Sequence, residues 1–542
     1  MPLDMLVSGG RIATFAGDRG FGWVEAVGIR GGRVAFAGSA VDLETRADPH
    51  TLRVELEPGE IAIPGLTDAH LHLVDAAIAA EHVDLTDART LDDGLAQLAE
   101  AHARLPEAAW LEGAGWDQRR WGRWPTAGDL DRVAPGRPAA LWSFDHHALW
   151  ASSAALAIGG VDAATPDPDG GIVRRLGDGS PEGVLLENAC PLVMRHRPAP
   201  GPEAVRRLIG EMGRRLARLG VVAVHDPGTV SADDTLGAFD VYTALSDAGE
   251  LPIRVHACLR SEGLELAAER GLRSGARLGS APDGRATVGW LKLFADGTLG
   301  SQTAALLEPR AGSDDRGVFR MSPETLRDLS ARAADAGIAS QIHAIGDAAA
   351  RAALDALEPT VGRVPLMPRL EHVQLVHPDD LGRFAAAGIA ASVQPVHLRE
   401  DAATARRDWG DRAEAWGYPW RSLLESGAVV AFGTDAPVEP IDPWPGIAMA
   451  VLRRSPGWGT AAPAFGPHEA LTLEAALRAA TVAPPVTARE PDRGRLVPGQ
   501  RADLVVLPAS PREPTEDAAT GFATVRPRMV VIDGEIVYED DL

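Results

Sequence analysis

The chain has 542 residues, 45% hydrophobic and 24% charged, which describes a globular protein large enough for one barrel and an accessory domain. Its 53 Lys and Arg against 76 Asp and Glu leave a formal net charge of −23, so nucleic acid and anionic membrane, which reward a basic face, are not expected partners. Two cysteines, Cys190 and Cys258, give no disulfide framework, and there is neither a signal-peptide pattern nor a membrane-length apolar run; a cytoplasmic protein is expected.

From the start to about residue 64 the chain reads as short strands broken by glycine pairs: 5–8, 11–15, 26–30 and 33–37, with Gly9-Gly10 and Gly31-Gly32 as hairpin turns. The far end matches. Residues 502–507 are strand-like, and 529–538 form a hairpin around Asp533-Gly534. Residues 1–64 and 487–542 are therefore expected to pair into one small β-sandwich domain built from both ends.

Between them, over 65–486, the pattern turns to helix, glycine, strand. Residues 202–219 place Val205, Leu208, Ile209, Met212, Leu216 and Leu219 on one helical face, and Gly220 then stops the helix before Val221-Val222-Ala223-Val224-His225-Asp226. Further units stop at Gly337, Gly388 and Gly427 and run into His343, Gln394 and Asp435. The distances from glycine to polar residue are 5, 6, 6 and 8, which sets each polar residue near the C-terminal end of its strand, the catalytic edge of a (β/α)8 barrel. Residues 81–200 do not repeat this unit. They carry Trp110, Trp116, Trp121, Trp124, Trp142 and Trp150, and read as an insertion. Its indoles either shape a substrate pocket over the open face or fill an ordinary core.

Thr67-Asp68-Ala69-His70-Leu71-His72 follows the apolar run Ile61–Leu66. In an extended segment His70 and His72 share a face and can chelate one divalent metal. Alone, a His-x-His pair is a weak signal. Here other strand ends answer it with His343, His372 and Asp435, and Lys292 sits inside the apolar run 288–294, where an unpaired charge is costly. Histidine nitrogens with a carboxylate suit zinc, with other divalent metals open.

These residues resemble the amidohydrolase superfamily, and within it the branch that includes N-substituted formamide deformylases. The resemblance covers residues 55–510. It rests on Pro64–His72, Gly115-Trp116-Asp117-Gln118, Lys292–Ser301, His343-Ala344-Ile345-Gly346-Asp347, Glu371-His372 and Gly433–Val438. It implies that His70, His72 and Asp435 hold one zinc and that His343 and His372 hold a second, with Lys292 bridging them as a carbamate. It also implies hydrolysis of an amide or N-formyl C–N bond in a small molecule, with Asp435 carrying the proton. His147 and His225 are the candidate donors to the developing oxyanion, with an orienting or structural role as the alternative for both, and His146 stands where the branch usually has Gly. Trp116, Asp296, Gln302 and His397 are the candidate substrate contacts. Gln302 replaces an Arg common in the branch, which disfavours an anionic substrate, and for His397 a loop histidine in water is the preferred alternative to lining the pocket. The rival functions are hydrolysis of cyclic amides, esters or lactones at the same site, and a non-catalytic assembly protein; the second would be expected to have lost a ligand. Large enzymes of this shape commonly form symmetric homodimers.

Overall fold

The computed structural model describes residues 2–540 except 107–108, 144–147, 169–170, 188, 229–235, 283, 460–461 and 509–522. Eight parallel strands form one sheet, each paired with the next: Leu66–Asp68, Val221–Asp226, Arg254–Arg260, Ala286–Phe294, Ser340–Ala344, Arg369–His372, Ala390–Val393 and Val430–Phe432. The first and last meet through the Ala69 N–H on the Phe432 carbonyl at 2.8 Å and the Asp435 N–H on the His70 carbonyl at 2.7 Å, so the sheet closes into a barrel. Strands buried on both faces favour apolar residues, which is why segments such as Val221–Asp226, Ala286–Phe294 and Val430–Phe432 read as hydrophobic runs, with the polar residues of the others turned into the barrel. The helices between them begin and end on local chemistry. Pro323–Asp335 is capped by the Ser322 hydroxyl, which accepts from the Thr325 N–H, and Gly220, Gly337, Gly388 and Gly427, at φ of 88°, 74°, 75° and 91°, release the chain into the next strand.

Strands from the two chain ends share one six-stranded sheet, ordered Glu535–Glu539, Met529–Ile532, Leu504–Leu507, Ile61–Pro64, Arg11–Ala13, Trp23–Val24. A four-stranded sheet, Arg33–Gly38, Ala26–Arg30, Met5–Ser8, Leu52–Glu55, packs on it through Met5, Val7, Val27, Ile29, Ala62, Val506 and Val531. The Asp533-Gly534 hairpin forms, with φ of 52° and 78°. Gly9-Gly10 is not a hairpin turn: Met5–Ser8 and Arg11–Ala13 lie in different sheets, and Leu56 crowds the bend, with its carbonyl oxygen 2.9 Å from where a Gly9 Cβ would be.

Residues 77–205 form a second compact unit with its own six-stranded sheet, ordered Gly171–Arg175, Pro181–Glu187, Ala148–Ala151, Ala139–Ser143, Leu111–Trp116, Val83–Asp84. Trp116 and Trp150 are fully buried in one of its cores, with Trp121 and Trp124 packed against them. The indoles are core. Trp116 donates its N–H to the Leu141 carbonyl at 2.8 Å, so both its ring and its polar atom are used internally and it is not available as the substrate contact expected.

Candidate metal centre

Five strands bring the candidate ligands to the C-terminal end of the barrel. His70 and His72 follow the first strand, Lys292 lies in the fourth, His343 in the fifth, His372 ends the sixth, and Asp435 follows the eighth. One ring nitrogen of His70, one of His372 and one carboxylate oxygen of Asp435 lie within 4.8 Å of one another, all buried. His72 joins through Nε2, 3.4 Å from Asp435 Oδ1, and the His343 ring centroid is 4.4 Å from that of His372. Lys292 is 1% exposed, and its Nζ lies 3.3 Å from His70 Nε2. His372 and Asp435 hold φ of 72° and 62°, left-handed conformations that a side chain resists and that collect at functional sites.

Surrounding groups decide which atoms face inward. His70 donates Nδ1–H to Glu371 Oε2 at 2.5 Å and His72 donates Nδ1–H to the Gly228 carbonyl at 2.5 Å, which turns both Nε2 atoms toward Asp435. Glu371 in turn pairs with Arg369 at 2.6 Å. Asp68 accepts from the Thr434 N–H at 3.1 Å and its hydroxyl at 2.6 Å, tying the last-strand loop to the first strand. His397 Nε2 lies 3.2 Å from Asp435 Oδ2, and its other nitrogen 3.4 Å from Glu439 Oε1.

Ionisation follows from these contacts. Burial lowers the Lys292 amine to about 8. Burial, with the Lys292 charge, takes His343 down to about 3, and burial with His343 nearby holds His372 well below its usual value, so both rings are neutral. Burial works against Asp435 ionising, but His70, His397 and His72 outweigh it and hold the carboxyl well below the ordinary range. Against the same burial, Asp435 and Glu439 lift His397 to about 10. Neutral imidazoles beside an ionised carboxylate are a donor set for a divalent cation. The buried Nδ1 of His372, which has no hydrogen-bond partner among the described residues, fits the same reading.

The remaining expected residues take other places. His225 is fully buried between Trp290 and His256, at ring-centroid distances of 5.0 and 4.8 Å, and accepts from Arg369 at 2.8 Å on Nδ1. Trp290 precedes Lys292 by two positions on the same strand face, so His225 lies a layer beneath the ligands and faces no substrate. Asp296 is fully buried and accepts the N–H groups of Ala305, Ile345 and Gly346, which makes it a clamp between two loops and not a substrate contact. Gln302 hydrogen-bonds Asp408 at 3.3 Å. His147 lies outside the described residues. Sequence reading gave no role to Glu371, Arg369 or Glu439. The signal was there for two of them: Arg369 and Glu371 alternate on one strand face in a run that has to be buried, so each needs a partner inside the barrel.

A family model described as the amidohydrolase family matches residues 58–538. Protein LONG AFTER FAR-RED 3 of Arabidopsis thaliana is 32% identical over 93% of this chain and 87% of its own. The N-substituted formamide deformylase of Arthrobacter pascens is 28% identical over 95% of each chain. Among solved structures, an uncharacterized metal-dependent hydrolase from Pyrococcus horikoshii OT3 aligns with a TM-score of 0.77 and 27% identity, covering 93% of this chain and 97% of that one.

Proposed function

The chain belongs to the amidohydrolase family, and from that premise we propose that it is a metal-dependent hydrolase that cleaves an amide or N-formyl C–N bond in a small molecule. The observation that carries this reading is the buried convergence of His70, His372 and Asp435, with Lys292 beside them. The names of two similar proteins, a deformylase of N-substituted formamides and a metal-dependent hydrolase, support the bond type and the need for metal. In this reading His70, His72 and Asp435 would hold one zinc, His343 and His372 would hold a second, and Lys292, as its carbamate, would supply an anionic oxygen ligand. A depressed lysine favours that modification, because the neutral amine is the form that adds CO2, losing one proton to become an anionic oxygen ligand.

Zinc bound there supplies a Lewis acid that lowers the pKa of water towards neutrality and polarises the substrate carbonyl. Asp435 is ionised and so able to take a proton from the attacking water and return it to the leaving nitrogen. His397, anchored by Glu439, fixes the Oδ2 side of that carboxylate, and Glu371 and Gly228 keep the His70 and His72 rings in one tautomer. The test is zinc per chain on protein purified without chelator, beside Lys292→Ala, followed by hydrolysis of N-formyl, N-acyl and lactone compounds. Close to two zinc ions in the native chain, a sharp fall in the variant and turnover of the C–N substrates are expected. A native chain without metal overturns the proposal.

A further inference from the structure

At the opposite end of the barrel, where the strands begin, a polar cavity of about 360 Å³ opens beside Arg254–Arg260 and Ala286–Phe294. Arg254, Arg277, Arg285, Arg489 and Arg501 line it, against the carboxylates of Glu490, Asp492 and Asp533. Those carboxylates are already matched. Glu490 pairs with Arg493 at 2.6 Å, Asp492 with Arg33 at 2.9 Å, and Asp533 with Arg254 and with Arg501, the latter at 2.8 Å.

Among the described residues, which do not include Asp283, two guanidinium groups have no carboxylate partner. Arg277 donates only to the Pro282 carbonyl, and Arg489 makes no side-chain hydrogen bond or ion pair among the described residues. Arg285 spends its Nη1 on the carbonyls of Leu251 and Pro252 and reaches Asp533 only at 3.5 Å. The Thr287 hydroxyl also lines the space without a partner among the described residues. Such an excess of positive charge runs against a chain whose net charge is −23. Guanidinium groups facing one cavity raise its positive potential, and their planar forks match the oxygens of carboxylate and phosphate.

We propose that this cavity binds a small oxyanion carrying at least two negative charges, either a phosphate group or a dicarboxylate. Arg277 and Arg489, without a carboxylate partner among the described residues, supply the charge, while Arg254 and Arg501, paired with Asp533, shape the wall. The site is separate from the metal centre. Arg285 and Lys292 lie seven residues apart along one strand and its approach, about 23 Å at the usual rise.

The test titrates the full chain with inorganic phosphate and with malonate by calorimetry, at ionic strength fixed with sodium chloride. Three proteins are compared: native, the Arg277→Ala/Arg489→Ala double variant and Asp435→Ala. Both arginines are exposed, so their removal leaves the fold intact. Saturable binding of one anion per chain is expected, at least tenfold weaker in the double variant and unchanged in Asp435→Ala. Tighter phosphate binding assigns the ligand as a phosphate group, and tighter malonate binding as a dicarboxylate. No binding of either, equal binding in the double variant, or binding lost with Asp435 and therefore belonging to the metal centre, overturns the proposal.

Discussion

Glu371 sets the tautomer of His70, and through it the direction of a ligand lone pair. It is fully buried, and Arg369 and His70 outweigh burial to bring its carboxyl down to about 2. Glu371→Gln keeps the shape but removes the charge; metal affinity, measured by competition with a chelator, is expected to fall about 10- to 100-fold with the fold retained. Asp296 predicts the opposite kind of pH dependence. Burial raises its carboxyl to about 7 from 3.8, so between about pH 4 and 7 the folded chain holds a proton that the unfolded chain has released. Its contribution to stability is therefore complete below that window and lost as pH rises through it. The urea midpoint of the native chain should drop from pH 5 to pH 8 by more than that of Asp296→Asn. Lys292 was legible because a charge in an apolar run demands an explanation. His225 was misread because proximity to a strand end in sequence does not give depth: Val224 is in register with Asp68, so His225 stands below His70.

At the level of the element, the seam between the first and last strands depends on Gly433. A Cβ there would meet the His70 backbone nitrogen at 2.5 Å and its Cβ at 2.7 Å, and neither strand can retreat without losing barrel hydrogen bonds. Gly433→Ala is expected to displace His70 and lower bound metal to well under half the native content, as measured by elemental analysis of the folded protein. In the second unit, Trp116→Ala leaves a cavity where the indole was and should cost about 3–5 kcal/mol, seen as earlier proteolysis within 77–205. The second, fifth, seventh and eighth barrel strands could be read from the glycine, apolar run and polar residue repeated in turn, whereas His70, Lys292 and His372 stood out on their own. The strand Arg254–Arg260 was not legible, because it alternates Arg254, His256 and Cys258 with apolar residues, as a half-exposed strand does. Sheet exchange at Gly9-Gly10 also escaped, since a glycine pair signals a turn without saying which partner follows.

For the molecule as a whole, bound metal joins segments far apart in sequence and should stabilise the folded state by mass action. Unfolding temperature is expected to fall when a chelator is added and to recover with zinc, while Lys292→Ala should respond less. Among the described residues no helix is long and apolar enough to cross a membrane. The pairing of Leu504–Leu507 with Ile61–Pro64 could be anticipated because the C-terminal end alone has too few strands to bury both faces. The barrel seam also has a consequence in time. Its hydrogen bonds join Ala69 and His70 to Phe432 and Asp435, so a chain growing from its N-terminus exposes the first two ligands long before the last exists. At ordinary synthesis rates that interval is roughly twenty seconds to a minute. Throughout it the nascent protein holds an incomplete set of candidate metal donors, and Asp435 is the last of the set to arrive.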